Sequence, residues 1–423
     1  MTRKTLATAL AVFLALTSVA SGNGFNLNGL GSRAQGMGGA FVGVADDFSA
    51  VFWNPAGAAG FRQTLFGFYA MDLMPRATYN QDGLLLGYPD IAAKTKTSHS
   101  LGFLAGYYKP LASKVVVGLG IGMPSVLGTM WNGSDFAALS DGTVYDWSSK
   151  VNVFSFSPLV AVRLSKAISL GAAVNVDYGT FNAKTWAGMS SYPASPPVDL
   201  GQYEENMNGW GVGATFGVLV KPLEKLSFGL TVRTPATISF DGAASMSNLP
   251  LYGLPRNSDL TRKITWPLWI AGGVSFRPTP RLLLSADVHW TQWSKLEQIQ
   301  TFFLDGAWHA LAAVEGRDLW ILEWRDKTQV RFGAEYALNE TTALRAGYYH
   351  DPSPSSAIRL SVLFPSHTFD AFSVGVGKTV GGLQLDFGLE YLAGNDRSYE
   401  FGFKTDTYGM RIVVPTASVS YKF

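Results

Sequence analysis

The chain ends on Thr416-Ala417-Ser418-Val419-Ser420-Tyr421-Lys422-Phe423, where odd positions are apolar and even positions polar. A period of two sends successive side chains to opposite faces of a β-strand, so this segment is a strand with one apolar and one polar face. The pattern recurs upstream. Leu383, Leu385, Phe387, Leu389 and Tyr391 alternate with Gln384, Asp386, Gly388 and Glu390. Val330, Phe332, Ala334, Tyr336 and Leu338 are spaced by Arg331, Gly333 and Glu335, and Leu282, Leu284, Ala286, Val288 and Trp290 by Ser285, Asp287 and His289. From Gln63 to Phe423 this reading gives about fourteen strands, the first near 63–71, the third near 114–123, the sixth near 207–221 and the last near 411–423.

Connection lengths decide what the apolar face meets. The turns at Pro110–Ser113, Ser165–Lys166, Pro222–Glu224, Pro278–Pro280, Asn339–Glu340 and Val380–Gly381 are short. The alternate connections 124–148, 184–206, 241–260 and 302–324 are long. Short turns on one rim and long loops on the other mark an antiparallel transmembrane β-barrel of a bacterial outer membrane, with lipid on the apolar face. An even strand number places both chain ends on the periplasmic side. Tyr107, Tyr108, Trp266, Trp269, Trp290, Trp293, Tyr348 and Tyr349 fall near strand ends, where interfacial girdles belong. Phe423, sharing a face with Tyr421 and Val419, resembles the terminal signal read by the outer-membrane assembly machinery. Closure satisfies every strand edge, so the barrel needs no second copy, and its surroundings are membrane lipid and lipopolysaccharide.

Composition agrees. Of 423 residues only 15% are charged and 13% are aromatic, with a mean hydropathy of +0.12. The continuous apolar run Leu6–Ala20 follows Arg3 and Lys4, the layout of a signal peptide over residues 1–20 with cleavage as late as 22. It is too short to span a bilayer as a helix. The formal net charge of +2 equals those two leader charges, so nothing points to nucleic acid. Cysteine is absent, and His99, His289, His309, His350 and His367 are scattered without ligand spacing. No metal, nucleotide or redox cofactor is expected.

Residues 21–62 precede the barrel and do not alternate. Gly29-x-Gly31-x-x-Ala34 imitates a dinucleotide fingerprint but lacks the strand before it and the βαβ unit around it. Glycine-rich turns bearing apolar side chains suit a plug packed within a lumen, with a periplasmic tail as the alternative. Gly31-Ser32-Arg33-Ala34-x-Gly36-Met37-Gly38-Gly39-Ala40, then Asp46-Asp47-x-Ser49-Ala50 and Asn54-Pro55-Ala56-Gly57, closely resemble the N-terminal signature of the FadL/TodX family of outer-membrane transporters for long-chain fatty acids and aromatic hydrocarbons. The resemblance implies a hatch at 21–62 inside a fourteen-stranded barrel at 63–423.

Function is read from what the barrel would hold. Asp287-x-His289-x-Thr291 shares one lumen-facing side and is the best catalytic candidate, but barrel lumens are polar by default, so the chain is not expected to be an enzyme. Apolar outer-loop residues Trp186, Met189, Tyr192, Met246, Leu249, Leu251 and Leu254 either pack on one another or form a capture groove. The resemblance implies the groove. Gly118-x-Gly120-x-Gly122 followed by Pro124 gives the third strand three inward glycines, which either make room for the hatch or let the strand bend. The resemblance implies a kink there that opens the wall sideways. Phe25, Leu27, Leu30 and Phe41 are candidates for an apolar ligand pocket beside the hatch, whose shape Gly36, Gly38, Gly39, Asn54, Pro55 and Ala56 would set. Lumen bases Arg163, Arg233, Arg331, Arg345 and Lys378 can be paired by Asp177, Asp287, Glu335, Asp386 and Glu390, leaving fatty acid and uncharged hydrocarbon both open. The expected function is passive uptake of hydrophobic small molecules, the alternative a structural or secretion-associated barrel whose hatch never opens.

Overall fold

The computed structural model describes residues 24–83, 89–192, 197–402 and 404–423. The expected signal peptide lies outside them. The long strands are β1 Leu65–Asp82, β2 Ser100–Ala112, β3 Val115–Met130, β4 Ser148–Arg163 and β5 Ile168–Trp186. Next come β6 Gln202–Leu223 and β7, which runs Leu226–Arg233 and Ala236–Met246. In β8 the pieces are Asn257–Trp266 and Trp269–Thr279, and in β9 Leu282–Thr291 and Gln298–Phe303. The last are β10 Lys327–Asn339, β11 Thr342–Asp351, β12 Phe369–Val380, β13 Leu383–Gly394 and β14 Lys404–Lys422. Pro235 and Pro267 fall at the breaks in β7 and β8, where a missing N–H interrupts the ladder.

Every strand pairs antiparallel with its sequence neighbour, and β1 pairs with β14 from Leu65↔Lys422 to Asp82↔Thr405. The sheet is therefore a closed 14-stranded barrel. Its outward face carries Phe66 and Phe68 on β1, Trp210, Val212 and Phe216 on β6, and Phe387, Leu389 and Tyr391 on β13. In water these would be a liability, whereas in lipid each gains the transfer free energy of burial.

The strands run further outward than alternation alone suggests. β1 continues past residue 71 to Asp82, β3 past 123 to Met130, and β6 and β14 begin at Gln202 and Lys404. Beyond the lipid band the apolar signal fades, as in Thr78-Tyr79-Asn80-Gln81, while the hydrogen-bonded ladder continues. Consequently 241–246 and 257–260, read as loop, are the ends of β7 and β8, and 184–186 and 202–206 the ends of β5 and β6. Within the long connection at 302–324, α3 occupies Gly306–Glu315, and the Asp305 carboxylate accepts from the N–H groups of Ala307 and Trp308 to cap it.

Residues 24–60 fill the lumen with two short helices, numbered α1 (Ser32–Gly36) and α2 (Ala50–Trp53), and a 3-10 turn at Pro55–Gly60. This hatch is buried almost throughout. The Asp47 carboxylate accepts from the Ser49 N–H at 2.8 Å and starts α2. Asn54 ends it: Asn54 Oδ1 accepts from Ala56 N at 3.1 Å, while its amide donates to Val42 O in the hatch and Val218 O in the wall. Pro55 then supplies the fixed φ that suits a first helical position. Gly38 has φ +64°, and a Cβ on its wall partner Gly347 would strike Met37 and Gly38 themselves, so the hatch and wall touch backbone to backbone.

Candidate functional site

Charged side chains of the wall hold the hatch at three points, besides the Asn54 bond to Val218. Asp287 Oδ2 on β9 accepts from the N–H groups of Phe41 and Val42, both at 2.8 Å, and lies 3.3 Å from His289 Nε2. Arg33 pairs with Asp46 within the hatch and donates from Nε to Glu335 on β10 at 2.7 Å. Glu335 is shared with Arg345, which also reaches Asp386 at 2.7 Å. Arg331 donates to Gly38 O at 3.2 Å, and its guanidinium lies 4.4 Å from the Tyr349 ring centroid. The Asp287–His289 pair that looked catalytic is thus built into hatch anchoring.

Above the hatch, a cavity of about 340 Å³ opens toward the extracellular side. Its walls include Phe181, Met246, Trp308, Leu311, Trp320 and Phe364. Its cations are matched: Arg262 makes a two-pronged bond to Glu205 at 2.9 and 2.8 Å, and Arg317 lies 3.9 Å from Glu315. An apolar cavity with neutralised charges suits a greasy guest.

Its floor is an aromatic partition. Phe25 of the hatch is ringed by Trp266, Trp293, Trp320, Trp324 and Phe364 at centroid distances of 5.0 to 6.5 Å. Phe364 belongs to the 352–368 connection, which folds into the barrel. Trp131 Nε1 donates to Val362 O at 2.7 Å, Thr129 Oγ1 donates to Leu363 O at 3.1 Å, and Arg397 donates to Ser353 Oγ at 2.8 Å. At its outer end Arg359 pairs with Glu323 at 2.9 Å and holds that carboxyl below its ordinary range.

Below the partition a narrower cavity of about 70 Å³ lies between Leu30, Val51 and Phe52 of the hatch and Gly120, Gly122 and Pro124 of β3. Its far wall is polar, with Asn175, Asp177 and Thr215 beside Arg233. Arg233 donates to Phe52 O at 3.1 Å and lies over the Phe52 and Trp269 rings. Among the described residues it makes no ion pair within 4.0 Å.

The wall is incomplete next to this cavity. The β2–β3 ladder ends at Leu104↔Gly122, although β3 continues to Met130. On the other side, register with β4 shifts between Gly122↔Ser155 and Ser125↔Val153, so Met123 and Pro124 together oppose Phe154 in a bulge. The Leu27 N–H of the hatch donates to Pro124 O at 3.0 Å across this break. Pairing resumes at the outer rim, where Lys96 N donates to Met130 O at 2.7 Å.

The residues singled out from sequence therefore fall in different places. Leu30, Gly120, Gly122 and Pro124 line the inner cavity; Leu27 bridges to the bulge. A Cβ on Gly120 would meet Val51 of the hatch at 2.6 Å, and one on Gly118 the Tyr108 ring at 2.6 Å, so these glycines make room just below the bulge. Phe25 sits in the partition, and Phe41 packs on Trp53 with ring centroids 6.3 Å apart. Gly36 faces Gly375 and Arg345 on the wall, and Gly39 lies against Arg331 and Trp53. Met246 lines the outer cavity, and Leu249, Tyr192 and Leu254 pack in the same outer core. Trp186 instead donates to Asp199 and stacks on Tyr145, whereas Met189 and Leu251 are exposed. Phe364 has no signal in the sequence, because its connection carries neither alternation nor a motif.

Residues 13–417 match the family described as "Outer membrane protein transport protein (OMPP1/FadL/TodX)". The chain belongs to that family. It is 25% identical over 449 residues to a long-chain fatty acid transport protein of Salmonella typhi, covering 95% of this chain and 96% of the relative. A FadL homologue of Pseudomonas aeruginosa superimposes with a TM-score of 0.76 at 15% identity, over 95% of this chain and 100% of that one. The toluene transporter TodX of P. putida gives 0.75 at 16%, over 94% and 99%. As a member of this family the protein is an outer-membrane transport protein and resides in the outer membrane of a Gram-negative bacterium.

Proposed function

We propose that the barrel passively carries hydrophobic molecules from the outer cavity, past Phe364 and Phe25, into the pocket beside the hatch and out sideways between β2 and β3. The observation that carries this reading is the break in the wall at Met123–Pro124: it adjoins the inner cavity and is bridged there by the Leu27–Pro124 hydrogen bond from the hatch. Sideways release leads an alkyl chain into lipid, where each CH₂ gains about 0.8 kcal/mol over water. Release into the periplasm would forfeit that gain. Gating belongs to the hatch, with Gly36, Gly38, Gly39, Asn54, Pro55 and Ala56 fixing its shape.

Arg233 favours a fatty acid over an uncharged hydrocarbon. Its guanidinium stands in the inner cavity, where among the described residues no carboxylate comes within 4.0 Å and Asp177 lies further off, leaving a place for a carboxylate head while the chain lies along Leu30 and Val51. Arg233→Met keeps the volume and removes the charge. Oleate affinity is expected to fall about tenfold or more, the usual worth of a charge-assisted hydrogen bond, with toluene binding unchanged. Competition binding to detergent-purified protein checks this. Equal loss for both ligands would make Arg233 a packing residue, and no binding of either by the wild type would favour the structural barrel.

A further inference from the structure

Arg76 on β1 and Arg411 on β14 stand directly opposite in the ladder and both are exposed. Partners opposite one another project from the same face, and here it is the lipid-facing one, since Phe66 and Phe68 share the parity of Arg76. Like charges opposite each other destabilise a sheet. Neither arginine makes an ion pair or side-chain hydrogen bond among the described residues. Lys94, exposed and opposite Thr78, adds a third cation on the same face, one step outward. Asp370, further round the wall, is engaged by His350 and by Tyr348, both at 2.8 Å.

Height in the membrane identifies the anion that belongs there. From Phe66 to Arg76 the strand advances ten residues, which at ~3.4 Å each and a tilt of about 40° is about 25 Å along the membrane normal. That equals the height of a barrel's apolar band, so the pair sits at the outer-leaflet interface. Phosphate is the group at that level in the glycolipid of an outer leaflet, and two facing guanidinium forks match its oxygens.

We infer that Arg76 and Arg411, with Lys94 above them, hold a phosphate of an outer-leaflet glycolipid whose acyl chains lie along the barrel wall. The inference rests on the outer-membrane location and not on the transport route. The test is native mass spectrometry of the detergent-purified full chain with bisphosphorylated lipid A, with its dephosphorylated form, and with inorganic phosphate. The wild type is expected to retain bisphosphorylated lipid A and to lose most of it when phosphate is removed. Arg76→Gln with Arg411→Gln should cut retention about tenfold or more, and Arg76→Lys with Arg411→Lys only partly, because charge persists without the fork. Both side chains point outward, and a heat-modifiable electrophoretic band confirms that each variant is folded. Equal retention by the glutamine variant, or equal binding of the dephosphorylated lipid, overturns the proposal. Inorganic phosphate bound as tightly as the lipid would overturn the glycolipid as its source.

Discussion

Deleting Met123 and replacing Pro124 with valine is expected to lower oleate uptake at least about tenfold while leaving the outer cavity intact. The deletion removes the one extra residue that β3 carries against Phe154. Inward side chains from Ser125 onward keep their face, because Gly122 and the shortened strand then alternate without a break. Valine restores the N–H that proline lacks, so β3 can extend its ladder toward β2 beyond Leu104↔Gly122. A closed ladder of backbone bonds in lipid resists opening because each broken group would go unsatisfied there. Initial uptake rates into cells lacking other fatty acid transporters, at matched levels of folded barrel, check this. Unchanged uptake would show that the wall break carries no traffic.

Asp287→Ala is expected to undock the hatch. One carboxylate oxygen accepts from both Phe41 N and Val42 N, and each bond to a charged acceptor is worth about 1.5–3 kcal/mol. Even allowing for water entering the site, a loss of about 3 kcal/mol shifts the docking equilibrium by about a hundredfold. Planar-bilayer recording should show ion-conducting openings in the variant against a quiet wild type, with faster trypsin cleavage after Arg33. Asp287→Asn, which keeps an acceptor oxygen, should fall between the two. Conductance and protection equal to wild type would place the anchoring elsewhere, in the Arg33–Glu335–Arg345 chain.

The barrel was legible because lipid imposes period two wherever it touches a strand, and Thr416–Phe423 displays that rule without exception. The hatch was legible because Asn54-Pro55-Ala56 and the paired glycines near Gly38 encode turns and close contacts locally. What alternation could not reveal lies where neighbouring chain, and not lipid, sets the environment. The outward extension of β1 through Tyr79 is wet or covered by loops, so its period is diluted. The bulge at Met123–Pro124 is a relation between β3 and β4, visible only once their registers are compared. Asp287 and His289 read as a catalytic fragment because an anchor for a distant N–H uses the same carboxylate chemistry. Phe364 depends on partners at Phe25, Phe181 and Trp320, far away in the chain.

The most direct measurement is photolabelling of the full-length protein in native outer-membrane vesicles with a fatty acid carrying a photoreactive group near its methyl end, followed by peptide mapping. Lateral release predicts labels on Phe103, Met123 and Pro124 beside the wall break, together with labels in the outer cavity, and loss of the first set alone when Met123 is deleted. Labels confined to the outer cavity, or running on to hatch residues at the periplasmic mouth such as Asp46 and Phe48, would contradict it.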